Sequence, residues 1–111
     1  MSENTSIISE FLSIKSDTPL AKAIELFRKD VREILVFNEE DTFLGYLSKR
    51  FLTRQSKLNP EAKVSSLIIR VPTVRKNDSF HKIAQALLSA KVYSIPVEEK
   101  GKIIGVIKDI D

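Results

Sequence analysis

The sequence predicts a mixed α/β fold of the α+β kind, in which two copies of one small unit pack face to face about a pseudo-twofold axis. Three observations predict it. Sliding the chain against itself by sixty-one positions superposes Asp17-Thr18 on Asp78-Ser79, Ala23 on Ala84, Leu26-Phe27 on Leu87-Leu88, Val31 on Val92, and Ile34-Leu35-Val36 on Ile95-Pro96-Val97. One extra residue in the first copy then shifts the offset to sixty, so that Phe43-Leu44-Gly45 falls on Ile103-Ile104-Gly105 and Leu47 on Ile107. Within each copy a helix-period stretch precedes two β-prone runs separated by a polar turn. Finally, 111 residues at 42% hydrophobic and 30% charged suffice for one core, so neither half is expected to fold well alone. The clefts between two such copies are natural ligand sites.

The first copy opens with an apolar lead-in, Ile7-Ile8 and Phe11-Leu12, and a short extended stretch around Ile14. A helix is predicted from Thr18. Its hydroxyl suits the cap, Asp17 lies beside the positive helix end, and Pro19 suits the first helical position. Leu20, Ala23, Ile24 and Phe27 share one face of it, ready to pack on a sheet. Val31 to Phe37 and Phe43 to Leu47 are the β-prone runs, joined by the turn Asn38-Glu39-Glu40-Asp41-Thr42. Ser48 to Gln55 reads as a second short helix.

The second copy repeats the plan. Val64-Ser65-Ser66-Leu67 is its lead-in and Val71-Pro72-Thr73-Val74 its extended piece. Asp78-Ser79 caps a helix bearing Phe80, Ile83, Ala84, Leu87 and Leu88, with Leu87 and its counterpart Leu26 read as core residues. Val92 to Val97 leads through Glu98-Glu99-Lys100-Gly101 into Ile103 to Ile107. Pro96 has no N–H for a ladder, which places it at a strand edge or end. The domains are residues 1–55 for repeat 1, 56–63 for the linker and 64–111 for repeat 2. The last helix of repeat 2 is truncated at Asp111, the expectation being a piece of a longer chain.

Composition narrows the chemistry. With no cysteine there is no disulfide framework and no thiolate, and the sole histidine, His81, has no second histidine to join it in a metal site. Three glycines, Gly45, Gly101 and Gly105, cannot write a P-loop or dinucleotide fingerprint. No apolar run approaches the ~20 residues that span a bilayer, and no signal segment opens the chain, so a cytoplasmic location and no membrane insertion are expected. The net charge of +3 is scattered, with Lys and Arg alternating with Glu and Asp, which argues against a nucleic-acid partner. Asp17 and Asp78 occupy equivalent helix starts, where helix-end electrostatics accounts for them and acid–base catalysis does not.

The order and spacing of these pieces, twice over, resemble the CBS domain family in its tandem-pair form, the Bateman-type module. Copy two carries the resemblance in Val64-Ser65-Ser66-Leu67, Val71-Pro72-Thr73-Val74, Asp78-Ser79-Phe80, Ile95-Pro96-Val97 and Gly105-Val106-Ile107-Lys108-Asp109-Ile110-Asp111. Copy one carries it in Asp17-Thr18-Pro19-Leu20-Ala21-Lys22-Ala23, Ile34-Leu35-Val36 and Gly45-Tyr46-Leu47-Ser48. The resemblance implies two β-α-β-β-α units, self-association into a homodimer, and a regulatory role without catalysis. It also implies an adenosine-containing ligand, AMP, ADP, ATP or S-adenosylmethionine, in the inter-repeat cleft. No cofactor is required, and occupancy would control an attached or partner effector.

In that family a Thr or Ser, two variable residues and an Asp follow the last strand. A carboxylate can accept from both ribose hydroxyls, and a hydroxyl with free N–H groups at a helix start can meet phosphate. This sequence splits the pattern. Copy one keeps Ser48 but has Phe51 where the aspartate belongs, so Ser48 as a helix cap and Phe51 as an apolar helix face is the leading account. Copy two has Asp111 but Lys108 in place of the hydroxyl, and lysine attracts phosphate as a point charge. By this resemblance the ligand residues are Val71, Thr73, Val74, Pro96, Lys108 and Asp111, with Ser48, Lys49, Arg50 and Arg75 weaker. The alternatives are a degenerate pair that serves only as a dimerisation or docking module, or a fragment of a larger enzyme or transporter.

Overall fold

A computed structural model describes residues 7–28 and 30–108. The chain divides into two compact units. One is Leu12–Arg70, and the other joins Val71–Asp111 to Met1–Phe11. Residues 56–70 thus fold with copy one, and the lead-in of copy one folds with copy two.

The unit Leu12–Arg70 contains β1 (Ser13–Lys15), α1 (Leu20–Ile24), β2 (Glu33–Phe37), β3 (Phe43–Ser48), α2 (Lys49–Thr53) and a 3-10 turn at Val64–Leu67. β1 lies parallel to β2, which pairs antiparallel with β3. Side chains alternate across a strand. Ile34 and Val36 therefore enter a core with Leu20, Ala23, Leu47, Leu52 and Val64.

Helix α1 departs from the expected capped start. Thr18 does not cap it; Pro19 stands at the cap position, extended at φ −67° and ψ 146°, with no side-chain cap bond. The first free N–H groups find carbonyls of the linker instead, Leu20 N to Ala62 O and Ala21 N to Pro60 O, both 2.8 Å. Tertiary acceptors satisfy what a hydroxyl would have satisfied. The helix is little more than one turn long, so Leu20 and Ala23 carry its buried face. Ile24, expected on that face, is 44% exposed.

The second unit holds α3 (Phe80–Ala90), β4 (Ser94–Glu99) and β5 (Lys102–Lys108), with β4 and β5 antiparallel. Ser79 caps α3 as expected, its hydroxyl accepting from Lys82 N at 3.1 Å. The buried row differs. Ile83 is buried, with Ala84 and Leu87 half-buried, whereas Phe80 is 57% and Leu88 77% exposed. Positions 80 and 88, at the two ends of the neighbouring ridge, point outward, while the ridge through 83 and 87 turns inward. Leu87 and Leu26 are consequently half-buried and not the fully buried core residues expected.

The strand expected from Val92 starts at Ser94, because Lys91 ends α3 in the left-handed conformation, φ 58°, with its N–H on Leu87 O at 3.1 Å. The hairpin turn is also shorter than expected. Glu98 and Glu99 belong to β4, leaving Lys100 and Gly101, at φ 54° and 81°, as a two-residue turn whose positive φ values match strand twist. In copy one the extra residue is absorbed by a loop in which Asn38 Oδ1 accepts from Glu40 N and Thr42 N, each at 2.9 Å. Both hairpins then slip register after the turn, between Val36 and Phe37 and between Val97 and Glu98. Leu44 and Ile104 are the extra residues, a bulge repeated at equivalent places.

Each sheet gains one more bridge at its far edge. Ile69 pairs antiparallel with Tyr46, and Ile8 with Val106. The two bridges are equivalent under the repeat and explain two of the three glycines. A Cβ on Gly45 would stand 2.4 Å from Ile69 O, and one on Gly105 2.6 Å from Ile8 O. Only glycine lets another backbone approach so closely.

Candidate functional site

Among the expected ligand residues, Val71, Thr73, Val74, Pro96 and Lys108 all lie in the second unit, while Asp111 lies outside the described residues. The unit positions them through one parallel bridge, Val74 to Val97. Val74 N donates to Pro96 O at 3.0 Å and Glu98 N to Val74 O at 2.8 Å. Val74 and Pro96 are buried, Val71 and Thr73 half-buried, and Lys108 is exposed at the end of β5.

Pro96 lies on an edge strand, one of the two places the sequence predicts, since β4 and β5 form a two-stranded sheet, but it is not at a strand end. It sits inside β4, opposite Val106 of β5, with the 71–74 segment on its other side. Its effect appears on comparing the two copies. In copy one Leu35 N donates to Leu12 O at 3.0 Å, and β1 forms a full three-residue strand. The corresponding bond in copy two would run from residue 96 to Pro72 O, and proline has no N–H to give. The segment is accordingly held at a single bridge.

On the outer side of this bridge Thr73 Oγ1 donates to Glu98 Oε1 at 3.1 Å, a half-buried contact that sequence reading did not single out. The sequence places Glu98 in the turn, whereas it belongs to β4. The signal was available in the register: an offset of sixty-one places Glu98 on Phe37, a strand residue.

The weaker candidates are occupied structurally. Ser48 Oγ accepts from Phe51 N at 3.1 Å and caps α2, and Phe51 packs against the core of its unit. Lys49 Nζ reaches Arg28 O at 3.4 Å, and Arg50 is exposed. Arg75 N donates to Asp78 Oδ2 at 2.8 Å, closing the turn before α3. That bond, with Lys82 Nζ 3.4 Å away, holds the Asp78 carboxyl below its ordinary range. A carboxylate whose folded value is depressed stabilises above its unfolded value, and the contribution is lost as pH falls through the depressed one. Asp78→Asn should therefore remove part of the loss of stability on acidification below the usual aspartate range. Thermal melts at stepped pH check this; identical acid limbs for both proteins would contradict it.

No described helix is long and apolar enough to cross a membrane. The sequence model of the CBS domain matches residues 5–50 and 64–111. Among solved structures, a conserved protein from Pyrococcus horikoshii superposes with TM-score 0.78 at 22% identity, over 92% of this chain and 81% of that one. A CBS-domain containing protein from Agrobacterium tumefaciens gives 0.76 at 19%, over 90% and 79%. The cytosolic domain of the Mg2+ channel MgtE, in complex with ATP, gives 0.75 at 19%, over 92% of this chain and 43% of that one. At these identities the likeness is one of fold. Comparison with curated protein sequences gives no match.

Proposed function

Because the chain belongs to the CBS domain family in both of its halves, as a tandem pair of a regulatory module, we propose that it senses an adenine nucleotide or other adenosyl ligand and controls an attached or partner protein. Its place of action on this reading is the cytoplasm. The observation that carries the reading is the bridge of Val74 to Val97, which joins the end of the 71–74 segment to β4, the strand that holds Pro96. Those are the residue types and positions the family uses around adenine. Lys108 follows at the end of β5, where a phosphate would be drawn, and Asp111 would take the ribose hydroxyls. A neighbour of the same fold carries ATP.

One ligand per chain follows. Ser48 spends its hydroxyl on Phe51 N, and Phe51 offers no carboxylate. Calorimetry with AMP, ADP, ATP and S-adenosylmethionine tests the reading. Asp111→Ala should weaken the bound ligand about tenfold, the worth of a charge-assisted hydrogen bond, and Ser48→Ala should leave affinity nearly unchanged. Binding by none of the four would favour a dimerisation or docking module. We further propose a homodimer, for which the exposed Phe80 and Leu88 of α3 supply apolar surface; light scattering at twice the chain mass would support it.

A further inference from the structure

We infer that Glu98, oriented by Thr73, is the residue that makes this chain select a ligand presenting a hydrogen-bond donor, the amino group of a purine, over one presenting a carbonyl there. The inference rests on the adenosyl reading above and adds the residue that sets its specificity.

Thr73 and Glu98 neighbour Val74 and Val97, which pair in the bridge and are buried. Successive side chains point to opposite faces, so Thr73 and Glu98 share the other face with Pro96. Their contact at 3.1 Å agrees with that placement. A hydroxyl that donates to one lone pair fixes the carboxylate, which has further lone pairs to offer a donor. Pairing of Val74 with Val97 as Ile14 pairs with Val36 makes Pro72 the counterpart of Leu12, whose carbonyl accepts from Leu35 N in copy one. In copy two Pro96 has no N–H for it. The Glu98 carboxylate can only accept, so a ligand group facing it is favoured as a donor and disfavoured as a carbonyl or a phosphate.

Copy one keeps a hydroxyl, Ser13, at the position of Thr73 but lacks the rest of this arrangement. The position of Glu98 is Phe37, whose ring packs edge-on to Phe43 at 5.7 Å, and the carbonyl of Leu12 is taken by Leu35 N at 3.0 Å. The arrangement belongs to the second unit alone.

Titration of the full chain with adenosine and with inosine, which differ at the purine 6-position, tests the inference. Wild type should bind adenosine about tenfold more tightly, because a half-buried acceptor left facing a carbonyl loses its partner. Glu98→Leu should weaken adenosine and spare inosine, bringing the ratio toward one. Thr73→Val should lower the ratio part of the way. Equal binding of the two nucleosides by wild type, or a ratio unchanged in Glu98→Leu, would overturn the role of Glu98 while leaving the adenosyl site standing. Binding of neither nucleoside would overturn both.

Discussion

Gly45→Ala should lower stability by about 3 kcal/mol, the sum of overpacking against a fixed neighbour and backbone strain. The neighbour is the Ile69 carbonyl, 2.4 Å from where the new Cβ would stand, and the φ of +156° is one that side chains rarely adopt. A side chain tip could swing away. This carbonyl cannot, because it accepts from Tyr46 N at 2.9 Å while Ile69 N donates to Tyr46 O at 2.8 Å. Gly101→Ala is the control. Nothing lies within 4 Å of its Cβ position, so only its φ of +81° matters and the cost should be about 1 kcal/mol. Urea denaturation separates the two; equal midpoints would refute the steric account.

Ile34→Ala should cost about 2–5 kcal/mol, since its side chain is fully buried and leaves a cavity among Leu20, Leu47 and Val64. On α3 the same kind of truncation should grade with position. Leu87→Ala, half-buried, should cost about 1–2 kcal/mol, and Leu88→Ala, 77% exposed, less than about 0.5 kcal/mol. Guanidinium titrations of the three variants would show the order. A loss at Leu88 exceeding that at Leu87 would mean that the inward ridge of α3 is the other one.

The strands were legible because their pattern is internal to the chain. Ile34-Leu35-Val36 and Ile95-Pro96-Val97 announce themselves as buried runs, and the repeat fixes one from the other. What escaped was set by contacts distant in sequence. Thr18 reads as a cap only until the carbonyls of Pro60 and Ala62 arrive, and Leu87 and Leu88 cannot be ranked from a helical period without knowing where the sheet lies. The site divides in the same way. Thr73 and Pro96 follow from local spacing, but the pairing of Thr73 with Glu98 depends on the register of β4 against a segment twenty-odd residues away.

The bridge from Ile8 to Val106 bears on how the molecule is made. Leu12–Arg70 is a continuous stretch whose pairings can all form once Arg70 has been synthesised. The sheet that holds Pro96 and Glu98 takes an edge pairing between Ile8 and Val106, and that pairing closes a loop enclosing all of Leu12–Arg70. Such long-range closure is slow and comes late. The unit with the ligand residues is thus completed after Leu12–Arg70, and until then β5 presents an open backbone edge to whatever extended segment is nearby.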